Sequence, residues 1–149
     1  MIQVKVKVYR FNPEKGDKKP YYDTFTVEAE RENKVLDLLH KIKWEQDGTL
    51  AFRRSCAHGI CGSCAMKING QNMLACEALI GNFKDPTNIT VDPLQSLPVI
   101  KDLTVDMDSF YQKFEIVKPF LINKKPAPVQ ERIQEPEEFA KIDESTKCI

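Results

Sequence analysis

The stretch Phe52-Arg-Arg-Ser-Cys-Ala-His-Gly-Ile-Cys-Gly-Ser-Cys-Ala-Met-Lys-Ile-Asn-Gly-Gln-Asn-Met-Leu-Ala-Cys76 sets four cysteines within 21 residues. Cys56, Cys61 and Cys64 follow the spacing C-x4-C-x2-C, and eleven residues then separate Cys64 from Cys76. Soft thiolates suit sulfide-bridged iron, and three such ligands in one loop with a distant fourth form the plant-type pattern for a two-iron, two-sulfur cluster. The loop composition agrees. Gly59 and Gly62 spare the backbone Cβ clashes, so that amide N–H groups can turn toward sulfur, while Ser55 and Ser63 offer hydroxyl donors.

Other chemistries fit less well. A structural four-cysteine zinc site usually draws its ligands from two close pairs in sequence, and here three share a loop. A thioredoxin-like role for Cys61-Gly-Ser-Cys64 would need the motif to open a helix after a strand, whereas it follows a loop and precedes a strand. His58 suggests a Rieske-type ligand, but all four thiolates are present and the other histidine, His40, lies mid-helix, so His58 reads as a solvent-facing loop residue. Arg53 and Arg54 either bind a partner carboxylate and tune the cluster or form an ordinary solvated surface.

Outward from the loop, Asn69-Gly70 between two short apolar-polar runs predicts a hairpin with a type I′ turn, which would carry Cys76 back beside the loop. Upstream, Ile2, Val4, Val6 and Val8 alternate with polar residues, a turn falls at residues 13–16, and a return strand covers residues 21–27 with Tyr21, Phe25 and Val27 on one face. Asn33 is expected to cap a short helix whose stripe is Val35, Leu38, Leu39 and Ile42, ending near Trp44. A last strand spans residues 89–91. The expected fold class is α+β, a small mixed sheet with one helix laid across it. From about Lys101 a helical unit is expected, with Met107, Phe110, Phe114 and Val117 on one stripe, then a proline-bearing connection and a short helix from Glu137.

The 149 residues are 42% apolar and 30% charged, with 22 basic and 22 acidic side chains, so no charge excess points to nucleic acid or acidic lipid. The alternating N-terminus is unlike a signal peptide, no run is long enough to span a membrane, and cysteines used as ligands suit a reducing compartment, so the chain reads as cytoplasmic. No glycine-rich nucleotide fingerprint occurs, and neither histidine has a catalytic partner.

At residues 52–76, at Asp92-Pro-Leu, at Leu97-Pro-Val-Ile-Lys-Asp-Leu-Thr-Val-Asp-Met and at Cys148-Ile149, the sequence resembles the N-terminal portion of the iron–sulfur subunit of the succinate dehydrogenase and fumarate reductase family. The resemblance implies a β-grasp ferredoxin domain over residues 1–100 and the start of an α-helical ferredoxin-like domain over residues 101–149. It gives the two-iron ligand positions to Cys56, Cys61, Cys64 and Cys76, and makes Cys148 the first ligand of a 4Fe-4S cluster if the chain continues, with a 3Fe-4S cluster beyond. The implied role is electron transfer in the respiratory chain and tricarboxylic acid cycle, between FAD on a flavoprotein subunit and a quinone or other acceptor. A membrane-anchor subunit would hold the assembly at the cytoplasmic face, and no substrate would bind this chain. The resemblance also implies that these residues are part of a longer subunit. The alternatives are a stand-alone ferredoxin-like carrier and a zinc-stabilised interaction module.

Overall fold

A computed structural model describes residues 1–16, 18–120, 122–124 and 126–146. The alternating N-terminus forms β1 (Ile2–Arg10), which pairs antiparallel with β2 (Tyr21–Ala29) so that Val4 lies opposite Val27 and Val6 opposite Phe25. Between them Asn12 accepts a hydrogen bond from the Glu14 amide, Pro13–Lys15 makes one 3-10 turn, and Gly16 closes it at φ 82°. The Asn69-Gly70 hairpin joins β3 (Ala65–Ile68) to β4 (Gln71–Leu74), and both turn residues have positive φ, 47° and 86°, as a type I′ turn requires.

The fifth strand, β5 (Asn88–Asp92), runs parallel to β1 and antiparallel to β3, giving the order β2-β1-β5-β3-β4. Helix α1 (Val35–Lys41) crosses from β2 to the cysteine loop, and a π-helical turn, Ile42–Gln46, extends it. Val35, Leu36, Leu38, Leu39 and Ile42 pack with Val4, Val6, Val8, Ile68 and Ile89 in one buried cluster. Each fully buried aliphatic side chain contributes ~1.5–3 kcal/mol of transfer free energy, so this face carries the hydrophobic stabilisation of the sheet. The result is the β-grasp arrangement expected from the sequence.

Two details differ from expectation. The residue at the head of α1 is Lys34, not Asn33. Asn33 instead accepts from the Glu30 amide to close the preceding turn, and Asp37 accepts from the Lys34 amide, because the chain must first bend sharply out of β2. In addition, residues just past 100 do not enter a helix. They form a hairpin, β6 (Val99–Lys101) and β7 (Thr104–Val105), whose turn residue Asp102 is almost completely buried, and Leu103 joins the core. Helix α2 (Asp108–Val117) begins only after it.

The chain divides into two compact units, Met1–Phe114 and Glu115–Ile149. The second contains α3 (Pro136–Thr146), with a proline at its start and Glu137 and Glu138 in its first turn, where acidic side chains complement the helix dipole. Among the described residues no helix is long and apolar enough to cross a membrane. Cys148 lies outside the described residues.

Candidate metal centre

The four cysteines are delivered by two devices. Cys56 and Cys61 lie on the loop between the π-turn and β3, and Cys64 immediately precedes β3. The β3–β4 hairpin pairs Ala65 with Leu74, and the Ala75 amide donates to the Cys64 carbonyl at 3.1 Å, which sets Cys76 beside Cys64. The turn holding Cys76 is fastened to α1: the Val35 and Leu36 amides, which have no partner within the helix, donate to the carbonyls of Ala78 and Ala75 at 2.9 and 3.0 Å. One helix end and one hairpin thus fix the isolated fourth cysteine.

The sulfurs fall into two pairs. Cys56 and Cys61 exchange amide-to-sulfur hydrogen bonds, 3.5 Å from the Cys56 amide to Cys61 Sγ and 3.4 Å in return. Cys64 and Cys76 are brought together at the base of the β3–β4 hairpin, close enough for Cys76 to act on the Cys64 thiol. The second pair is buried, whereas Cys61 is exposed and Cys56 half-buried. Among the described residues no three histidine, cysteine, aspartate or glutamate side chains form a group suited to a single metal ion. Two pairs of thiols are what two sulfide-bridged irons need, each iron taking two protein ligands; a zinc ion would need all four around one point.

Donors surround these sulfurs. The His58 amide reaches Cys56 Sγ at 3.5 Å, the Gly59 amide reaches Cys76 Sγ at 3.2 Å, and Ser63 Oγ lies 2.8 Å from Cys61 Sγ. The Ser63 hydroxyl, with the Cys56 amide behind it, draws the Cys61 thiol down to about 6, so this sulfur is available as thiolate near neutral pH. Burial pushes the Cys64 thiol the other way. Among the described residues Ser63, not Ser55, is the loop serine that reaches a sulfur.

Backbone hand explains the glycines more fully than space does. Ala57, Gly59 and Gly62 have φ of 60°, 79° and 71°, so the loop coils through the left-handed region three times. A Cβ on Gly62 would meet nothing within 4 Å, so its requirement is conformational, not the relief of a clash. At Gly59 both apply, because a Cβ there would stand 3.1 Å from the Glu77 side chain.

His58 is exposed, as expected, and its Nδ1 lies 2.7 Å from the Cys56 carbonyl, a bond that places the ring proton on Nδ1. Arg53 and Arg54 are exposed beside the loop. His40 was legible only as a helical position. Its ring stacks on Trp44 at 4.7 Å and meets Phe52 edge-on at 5.3 Å, and both of its nitrogens are buried without a hydrogen-bond partner. Burial, then the nearby Arg54, lowers its pKa and keeps the ring neutral under the loop entrance. Spacing along the sequence gives no sign of this stack.

A second tie reaches the loop from β6–β7. Asp102 Oδ1 accepts from Arg10 Nε at 3.1 Å and from the Phe11 amide at 3.0 Å, while Oδ2 accepts from the Ala51 amide at 2.9 Å. Arg10 also bonds Asp23, Asp47 and Thr49. Residues 50–52, which lead into the cysteines, are therefore held by a buried ion pair.

Fold and paired sulfurs together define a β-grasp domain of the plant-ferredoxin type. Residues 5–112 match the family model described as the 2Fe-2S iron-sulfur cluster binding domain, and the chain belongs to that family. It is 46% identical over 145 residues to the succinate dehydrogenase iron-sulfur subunit of Coxiella burnetii, covering 95% of this chain and 60% of that protein. It is 43% identical to a mitochondrial succinate dehydrogenase [ubiquinone] iron-sulfur subunit 3 of Arabidopsis thaliana, over 99% of this chain and 48% of the relative. Among solved structures, a chain of the Mycobacterium smegmatis Sdh1 complex in the apo form superposes with a TM-score of 0.81 at 32% identity, over 99% of this chain and 59% of that one. The kinship read from residues 52–76 is borne out, and the chain spans roughly half to three-fifths of the length of these relatives.

Proposed function

We propose that Cys56, Cys61, Cys64 and Cys76 hold a two-iron, two-sulfur cluster and that the chain relays single electrons between a flavin on a partner subunit and a quinone or another acceptor. The observation that carries this reading is the division of the four sulfurs into two pairs among converging amide and hydroxyl donors. A bound cluster accepts one electron at a time and so separates the electron pair that a flavin collects. The protein's contribution is to hold the ligands and to accommodate the added negative charge. The amides of Cys56, His58 and Cys61 and the Ser63 hydroxyl all address the outer pair, Cys56 and Cys61, so that pair is the better host for it.

The relatives are succinate dehydrogenase iron-sulfur subunits and a chain of an Sdh1 complex, which supports a role within a succinate dehydrogenase-type assembly. The setting proposed for this chain is succinate oxidation, or fumarate reduction, beside flavoprotein and membrane-anchor subunits, with the chain peripheral to the membrane. With residues 99–105 folded as a hairpin within the first unit, the chain from α2 onward is read as the opening of a helical ferredoxin-like domain, with Cys148, if the chain continues, as the first ligand of a 4Fe-4S cluster and a 3Fe-4S cluster beyond. Elemental analysis of the anaerobically purified chain tests the central claim. About two irons and two acid-labile sulfides per molecule are expected, with Cys61→Ser losing or altering the cluster. One zinc and no sulfide in a freshly made native sample would overturn it.

A further inference from the structure

Glu77 directly follows the buried ligand Cys76, yet none of the loop's sulfur contacts uses it. Its side chain folds over the bare Cα of Gly59: an ideal Cβ there would meet Glu77 Cδ and Cγ at 3.1 Å and Oε1 at 3.2 Å. The Gly59 amide is itself the donor to Cys76 Sγ at 3.2 Å. Standard backbone geometry then puts the Glu77 carboxylate within about 9 Å of the Cys76 sulfur. Lys34, at the head of α1, pairs with it, Nζ to Oε1 at 3.6 Å.

We propose that Glu77 is an electrostatic determinant of the midpoint potential, holding the cluster at a lower potential than the donor network alone would give, with Lys34 as the counter-charge that limits the effect. The inference rests on the reading of Cys56, Cys61, Cys64 and Cys76 as ligands of a two-iron cluster. Reduction adds a negative charge at the cluster, so a fixed carboxylate nearby opposes it and a fixed ammonium favours it. The separation is comparable to the Debye length of ~8 Å at physiological salt, so screening reduces the interaction without removing it. The ion pair is half-exposed, and such pairs contribute little to stability, so its main consequence is the field at the inner sulfurs. With effective dielectric constants between those of protein and water, one unit charge at this range changes the reduced-to-oxidised ratio by roughly threefold.

The test is an EPR-monitored redox titration of the full chain carrying its cluster. Glu77→Gln is expected to raise the reduced-to-oxidised ratio at a fixed solution potential about threefold, equivalent to roughly 30 mV at 59 mV per decade for one electron. Lys34→Gln is expected to shift it the opposite way, and Glu77→Asp to stay nearer the parent than Glu77→Gln does. Both neutralising shifts should shrink in ~1 M salt, where the Debye length is ~3 Å. A purely structural role for the pair would not produce opposite signs or this salt response. If Glu77→Gln assembles no cluster, the direction of the Lys34→Gln shift decides. Unchanged potentials in assembled clusters, or shifts of the same sign, overturn the inference alone; a parent chain that binds no iron and sulfide overturns the ligand reading with it.

Discussion

Cys61, exposed and proposed as a cluster ligand, has a sulfur that is nonetheless strongly solvated by the protein, through Ser63 Oγ at 2.8 Å and the Cys56 amide at 3.5 Å. Hydrogen bonds to an ionised acceptor are stronger than neutral ones, and each donor on a cluster thiolate favours the reduced form. Ser63→Ala removes the shortest of these. The expected outcome is a lower midpoint potential, by an amount on the order of tens of millivolts, with the cluster retained. Redox titration checks it, and an unchanged potential would show that solvent replaces the hydroxyl fully. This shift is opposite in sign to that expected for Glu77→Gln, because one change removes a donor to the sulfur and the other removes a negative charge beside it.

The hairpin β6–β7 lies outside the five-stranded sheet, yet its turn organises the entrance to the cysteine loop. Asp102 sits at φ 46° with its side chain buried, and joins the end of β1 to Ala51 through Arg10, Phe11 and Ala51. Burial disfavours charge on Arg10, but hydrogen bonds and charges from Asp47 and Asp102 more than offset it. Burial opposes ionisation of Asp47 as well, and hydrogen bonds from Thr49 and Arg10 overcome it to hold this carboxyl at about 2. Without Asp102 the Arg10 guanidinium still has Asp23 and Asp47, but its Nε and the Phe11 and Ala51 amides lose their acceptor, at about 1–3 kcal/mol for each buried donor left unsatisfied. Asp102→Ala should therefore lower the thermal unfolding midpoint and hasten loss of the cluster's visible absorbance, and Asp102→Asn should do less. Equal behaviour of Asp102→Ala and the parent chain in both measurements would remove the entrance-holding role.

At the scale of the whole molecule, α2 buries none of its residues, and Phe110, Tyr111, Phe114, Ile116 and Val117 are all exposed. Large apolar side chains left exposed in number on one helix suit an interaction face. Together with the relatives' complexes, it leads us to expect that the chain copurifies from native extract with a larger flavin-bearing subunit. Recovery of the monomer alone, at concentrations where such subunits remain assembled, would count against the partnership.

The cysteine spacing, the Asn69-Gly70 turn and the alternation in β1 were legible in sequence because each reports a local rule: ligand chemistry, positive φ and period-two burial. The sequence by itself therefore determined the class of centre, the hairpin that returns Cys76 and the sheet-and-helix core. It did not place Glu77 on Gly59, His40 beneath Phe52 or Asp102 against Ala51. The last of these contacts joins residues 51 apart. No periodicity or spacing rule reaches across such distances, since side chains of this kind meet only after the sheet has closed and α1 has docked. Tertiary structure alone decided which sulfurs pair and how charge is arranged around them.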